Sequence, residues 1–302
     1  MPTSPSDLKG RLKGIVGFGV TPFHPDLSIN FDALRQNTAH LVEHCEVVVA
    51  LGNNGEIFSL SPHEQKQVAS AVVQEAGGRK PVLVGVGFSL PVTVELARAA
   101  EATGADGILV LPPHYCNTSD DGLFEYYRSV AAATRLGVVL FQTPAMNFSP
   151  ALLRRLAEVP NIVGMKDEHG DMKQFVRQWN AAGDRLKLMC GVGEILAPSY
   201  FALGVEVFTS GIVNFMPATP RKILCLLQER KFEAAARVVE QETLAIFDLR
   251  ARRSGYVTAV IKEAMNLCGM KAGPSRPPIP PLLDVDREEL RSMLTRLRVL
   301  KT

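Results

Sequence analysis

The chain is poor in the residues that mark several protein classes. It has one Trp and only 7% aromatic residues, and no Lys/Arg cluster is interleaved with those few aromatics, so a nucleic-acid footprint is missing. Neither sign of charge is in excess: 33 basic residues face 31 acidic ones, which points to a small-molecule partner and away from a polyanion. No run of about 18 uncharged apolar residues occurs, as a membrane span would need, and the stretch from Met1 to Leu12 is too polar for a signal peptide. The five cysteines, Cys45, Cys116, Cys190, Cys225 and Cys268, are odd in number, scattered and without a C-x-x-C pair. That argues against a disulfide framework and a zinc cluster, and fits a reducing cytoplasm.

What is present is a period. Short apolar, β-branched runs recur at Gly14–Val20, Val47–Leu51, Val82–Val86, Gly107–Leu111, Val138–Phe141, Ile162–Met165, Leu186–Cys190 and Val205–Thr209. Most lack in/out alternation, as strands of a parallel sheet buried on both faces do. Each is followed by a segment long enough for a helix. Ser61-Pro62-His63-Glu64 reads as a capping box with proline at the first helical position, and Ser149-Pro150 and Asp171 read as further helix entries. Eight strands alternating with helices, without a dinucleotide fingerprint after the first, predict an α/β fold of the (β/α)8 TIM-barrel type. Past Pro217 only helical patterns follow, at Arg221–Arg230, Phe232–Ala251, Gly255–Cys268 and near Arg287–Val299, with a Pro-rich stretch Gly273–Pro281. The expected organisation is a barrel over residues 1–225 with a C-terminal helical extension, 226–302, packed on it as part of one structural domain.

Lys166 falls at the C-terminal end of the sixth strand, flanked by Ile162-Val163-Gly164-Met165. That rim is where barrel active sites are built. A lysine desolvated there has a pKa lowered from ~10.4 toward neutrality, which frees the amine to attack a carbonyl. Shifting it to ~7 costs folding roughly 4–5 kcal/mol, a cost that structure alone gives no reason to accept. At the end of the second strand, Gly52-Asn53-Asn54-Gly55-Glu56 brackets two amides with glycines, so backbone N–H groups can approach and hold a carboxylate; an ordinary Gly/Asn turn has the same composition.

Four segments fall in order at four strand ends: Gly52 to Glu56 with Phe58-Ser59-Leu60; Pro112-Pro113-His114-Tyr115 with Asp121-Gly122-Leu123; Ile162 to Asp167; and Thr209-Ser210-Gly211-Ile212-Val213-Asn214. Together they resemble the dihydrodipicolinate synthase/N-acetylneuraminate lyase family of class I aldolases over nearly the whole chain. Three details are most similar to the 5-dehydro-4-deoxyglucarate dehydratase branch. They are Gly164 to Asp167 continuing to Gly170-Asp171, Ser210 to Asn214 continuing into Phe215-Met216-Pro217, and Gly255-Tyr256 with Ala272-Gly273-Pro274 and Arg276-Pro277-Pro278.

The resemblance implies that Lys166 is the Schiff-base lysine and that Tyr115 is a catalytic tyrosine reaching across a dimer interface. It implies substrate binding by Gly52, Asn53, Asn54, Gly55, Phe141, Thr209 and Ser210, a 2-keto acid partner, and a homo-oligomer of two or four chains. No metal or organic cofactor is called for. Two departures stand out. The strand-five tyrosine that relays protons in the family is Phe141, which cannot transfer one, and Asn53-Asn54 replaces a hydroxyl-bearing pair with amides. Met146 stands where dihydrodipicolinate synthase has an arginine for its second substrate, which speaks against lysine-biosynthesis chemistry. Tyr115, His114 or Glu56 are the candidates for the displaced acid/base role, although Glu56 also suits a structural place under its loop.

The reaction so implied is decarboxylating dehydration of 5-dehydro-4-deoxyglucarate, with retro-aldol cleavage of a 2-keto-3-deoxy sugar acid, or a condensation like that of dihydrodipicolinate synthase, as the alternative. A catalytically impaired keto-acid binder is the reading from another class. Two further motif types carry less. His40-Leu41-Val42-Glu43-His44 matches H-x-x-E-H but lies on the first outer helix without a third ligand. Gly85-Val86-Gly87 and Gly191-Val192-Gly193 begin G-x-G, yet Leu90 and Leu196 replace the third glycine.

Overall fold

The computed structural model describes residues 3–113, 116 and 118–300; Tyr115 and His114 lie outside the described residues. A short helix α1 (Pro5–Arg11) comes first, capped by Ser4. Eight parallel strands then close a barrel in sequence order, β8 pairing back onto β1. They are β1 (Gly14–Phe18), β2 (Val47–Ala50), β3 (Val82–Val86), β4 (Gly107–Val110), β5 (Gly137–Gln142), β6 (Ile162–Asp167), β7 (Lys187–Cys190) and β8 (Val207–Ser210). Nearly every strand residue is buried, as the unalternating runs of Val, Ile and Leu require.

The crossovers are α2 (Phe31–His44), α3 (Pro62–Ala76), α4 (Leu90–Ala102), α5 (Asp120–Ala132), α6 (Pro150–Leu156), α7 (Met172–Ala182) and α8 (Ala197–Ala202), and α9 (Ala218–Gln228) follows the last strand. The expected caps are in place. Ser61 and Glu64 form the full capping box of α3, while Ser149 and Asp171 cap α6 and α7 through their side chains. The first helix was not expected, because seven polar-looking residues carry little periodicity; Leu8 and the following Leu12 nonetheless bury completely beneath β5 and β6.

The extension contains α10 (Phe232–Val238), α11 (Leu244–Ala251), α12 (Tyr256–Leu267) and α13 (Asp284–Arg296). The single helix expected over Phe232–Ala251 is interrupted by a π turn at Val239–Thr243. The buried Thr243 hydroxyl donates to the Val239 carbonyl at 2.8 Å, the acceptor that a regular α-helix would give to the Thr243 N–H. Leu244 N–H bonds Val239 instead, one residue late. Packing changes over at this turn: Val238 and Val239 belong to the barrel core, while Ile246 and Leu249 join a second apolar cluster with Val20, Ile212, Tyr256, Val260 and Leu290.

Candidate functional site

Lys166 is the penultimate residue of β6, in register with Phe141 on β5 and Met189 on β7. Register neighbours share a face, so all three point into the barrel. Only 4% of Lys166 is exposed. Its Nζ lies 3.7 Å from the centroid of the Phe141 ring and 5.0 Å from that of Phe18, and it forms an ion pair with Glu168 just beyond the strand. Burial holds the lysine pKa below its ordinary value, while Glu168 first and then Asp167 and Cys190 pull it up. Space for the side chain is made by Gly191 at the end of β7, where a Cβ would sit 2.8 Å from Lys166 Cγ and 2.6 Å from the Asp167 carbonyl.

The outward face of the same strand is held rigidly. Asp167 accepts from Gln142 at 2.8 Å, from the Tyr200 hydroxyl at 2.6 Å and from the His169 N–H at 2.9 Å. Gln178 donates in turn to Gln142 and to the Phe148 carbonyl, both at 2.7 Å. A buried network this well satisfied resists movement of the strand that carries the amine.

The loop after β2 is bounded by two non-glycine residues in the left-handed region, Leu51 (φ 61°) and Glu56 (φ 54°), a strain that is sustained only when the surroundings impose it. They do. Gly55 N–H and Glu56 N–H donate back to Gly52 and Asn53, Thr21 Oγ1 donates to the Gly55 carbonyl at 2.7 Å and Thr258 Oγ1 to that of Asn53 at 3.3 Å. Beneath the loop, the fully buried Glu56 pairs with Lys262 Nζ at 2.7 Å and takes the Arg276 N–H at 2.9 Å. The backbone N–H groups of Asn53 and Asn54 make no hydrogen bond among the described residues, and both residues line the cavity.

The opposite wall comes from the ends of β7 and β8 and from α11. Ser210 Oγ donates to Glu194 and accepts from the Val213 N–H at 3.0 Å. Glu194 is completely buried, its second oxygen has no partner among the described residues, and burial raises its pKa against the pull of Ser210. Thr209 Oγ1 donates to the Gly191 carbonyl at 3.0 Å. Phe247 and Arg250 close the roof.

Lys166, Asn53, Asn54, Thr209 and Ser210 thus line one cavity of about 790 Å3, counting its open mouth. Gly52, Gly55 and Phe141 stand behind that wall: Cβ atoms at the two glycines would meet the Phe18 ring at 2.6 Å and the Leu51 backbone at 3.0 Å, and Phe141 lies against the lysine. Met146 closes a turn with Thr143 and does not line the cavity. Glu56 is committed to Lys262, which rules out the acid/base role entertained for it. His40 bonds the Val213 carbonyl at 3.1 Å and meets His44 edge-on, and no group of three His, Cys, Asp or Glu able to hold a metal forms among the described residues. Sequence reasoning missed Glu168, Glu194, Phe247 and Arg250. Glu168 could have been found, since it stands two residues after Lys166 and shares its face.

Comparison with known proteins gives a consistent result. The model of the dihydrodipicolinate synthetase family matches residues 11–297. A probable 5-dehydro-4-deoxyglucarate dehydratase of Methylobacterium radiotolerans is 36% identical over 285 residues, covering 93% of this chain and 94% of its own. The crystal structure of dihydrodipicolinate synthase from Oceanobacillus iheyensis matches with a TM-score of 0.93 at 30% identity, over 97% of this chain and 99% of that one. An E. coli K12 prophage protein of the dihydrodipicolinic acid synthase family, solved in complex with pyruvate, matches with a TM-score of 0.88 at 27% identity, over 95% of this chain and 99% of its own.

Proposed function

Because the chain belongs to the dihydrodipicolinate synthetase family, we propose that it is a Schiff-base lyase acting on a 2-keto sugar acid, and that its reaction is the decarboxylating dehydration of 5-dehydro-4-deoxyglucarate. The observation that carries this reading is the buried Lys166 amine in a cavity that Asn53, Asn54, Thr209 and Ser210 also line, with its pKa pushed down by burial and one carboxylate beside it. The amine attacks the keto carbon, water leaves, and the resulting iminium accepts the electron pair released when the neighbouring carbon loses a proton. The enamine then expels the hydroxyl one carbon further on as water, the conjugated iminium so formed takes up the electron pair released as the far carboxylate leaves as carbon dioxide, and water hydrolyses the imine to free the product and the Lys166 amine.

Lys166 is the nucleophile in this scheme. The unpaired N–H groups of Asn53 and Asn54 hold the carboxylate beside the keto group, with Gly52 and Gly55 shaping that loop. Phe141 supplies no proton, so Glu168 next to the amine takes the carbon-bound proton. Glu194, whose pKa burial raises, supplies one to the departing hydroxyl through Ser210, with Thr209 beside it. Tyr115 remains the candidate donated by a neighbouring subunit of a dimer or tetramer. The names of the relatives support the dehydratase over the aldolase reading. Five cysteines without a disulfide and the lack of any helix long and apolar enough to cross a membrane among the described residues are in keeping with a cytoplasmic enzyme.

The test is borohydride trapping with mass spectrometry, using pyruvate and then 5-dehydro-4-deoxyglucarate, alongside a measurement of carbon dioxide release. An adduct on Lys166 with release of carbon dioxide from the second compound is the expected result. Pyruvate as the product of a sugar acid would establish the aldolase instead, and trapping without turnover of any candidate would establish the keto-acid binder.

A further inference from the structure

Arg250 is the cation of the cavity that the protein leaves unspent. It stands on α11, seven residues past the end of the π turn at Val239–Thr243, in the helix whose phase that turn resets relative to α10; such turns recur at functional sites. Its Nε donates to the Val257 carbonyl at 3.3 Å and its guanidinium carbon lies 4.8 Å from the centroid of the Phe247 ring. Its two Nη groups have no hydrogen bond and no carboxylate within 4.0 Å among the described residues. Arg252, two residues on, makes the contrast: it is engaged by Asp286 and Glu289. Glu194 and Glu168 are close enough to act on Arg250 electrostatically, yet one is turned to Ser210 and the other to Lys166.

An arginine set in an apolar rim with its fork free is built for a planar anion, which two parallel N–H bonds can grip. The lysine end of the cavity already has a place for the carboxylate beside the keto group, at Asn53 and Asn54. We propose that Arg250 is a specificity-determining residue that binds a second carboxylate at the far end of the substrate, so that the site selects 2-keto diacids over 2-keto monoacids of the same length. This rests on the imine reading above and narrows it, because the two carboxylates of 5-dehydro-4-deoxyglucarate meet the requirement and a monocarboxylic sugar acid does not.

The test uses the full chain with two unbranched six-carbon keto acids, 2-oxoadipate and 2-oxohexanoate, and reads the concentration giving half-maximal borohydride trapping on Lys166. The wild type should trap the diacid at a concentration about 10- to 100-fold lower than the monoacid, the range expected for a charge-assisted pair of hydrogen bonds. In Arg250→Met that ratio should collapse toward one, and Arg250→Lys, which keeps the charge but loses the fork, should retain part of it. If the wild type traps both acids equally, or if Arg250→Met keeps the wild-type ratio, the assignment is overturned while the imine chemistry stands. If the wild type traps neither acid but does trap pyruvate on Lys166, this assignment is overturned and the imine chemistry stands; if pyruvate and 5-dehydro-4-deoxyglucarate are not trapped either, the lyase reading itself fails and takes this one with it.

Discussion

Lys166 and Lys262 are both almost completely buried, each is paired with a glutamate, and each lies over a phenyl ring, Phe141 in one case and Phe23 in the other. They differ in how their protons are used. Lys262 Nζ donates to Glu56 at 2.7 Å, to the Thr21 carbonyl at 2.9 Å and to the Pro274 carbonyl at 2.6 Å, so its three N–H bonds have three acceptors. Burial pushes its pKa down to about 8 against the pull of Glu56, which leaves it charged at neutral pH. Lys166 has Glu168 alone and opens onto a cavity. A buried lysine with saturated donors is a strut that ties α12 to the loop after β2. One with donors to spare, facing free volume, is available for chemistry.

Replacing each lysine by a shape-matched apolar residue breaks or sharpens that contrast. Lys166→Met should abolish trapping and lower turnover by about 10^4-fold or more, while thermal unfolding shifts upward by about 1–3 kcal/mol, because an apolar replacement spares the cost of burying an amine. Lys262→Met should do the reverse to stability, losing about 3–5 kcal/mol in urea titration because Glu56 stays buried without its cation; adding Glu56→Gln should recover part of the loss. If both variants were equally destabilised, the distinction between strut and nucleophile would collapse.

A smaller effect is expected at Glu168. Its carboxylate raises the Lys166 pKa, so Glu168→Gln should move the acid limb of the kcat/KM profile to lower pH while turnover falls about 100-fold for want of a proton acceptor. A profile that stays in place would show that the ion pair does not govern the amine. The smallest effect belongs to the periphery of the strut. The Arg276 guanidinium holds the Glu64 carboxyl at about 2, below its usual 4.5. The stability this pairing contributes is present above pH 4.5 and is lost as pH falls toward 2. Glu64→Gln should flatten that part of the stability curve, by less than about 1 kcal/mol since the pair is partly solvated, as urea midpoints between pH 5 and 2 would measure.

The eight strands were legible because parallel strands buried on both faces read as unbroken β-branched runs, and the helix entries because caps are local. Lys166 and the Gly52 to Glu56 loop were legible for the same reason: each is a short motif at a strand end. Helix α1 was hidden by its brevity, and the π turn by the fact that Thr243 competes for a carbonyl only once its side chain is buried. Glu168 was within reach of the two-residue strand period. Arg250 was not, since nothing in Leu249-Arg250-Ala251-Arg252-Arg253 distinguishes the one arginine that turns into the cavity from those that meet acids or solvent.

By itself the sequence determined the alternation of strands and helices, the strand that carries the amine and the loop that can hold a carboxylate, because these follow from patterns within a few residues. Only the tertiary structure decided which of two buried lysines keeps free donors, that Glu56 belongs to Lys262, and that Glu194 and Arg250 face the lysine across one cavity. Those outcomes depend on which buried groups meet partners far apart in the chain, such as the 206 positions between Glu56 and Lys262, and such pairings are a property that no local pattern contains.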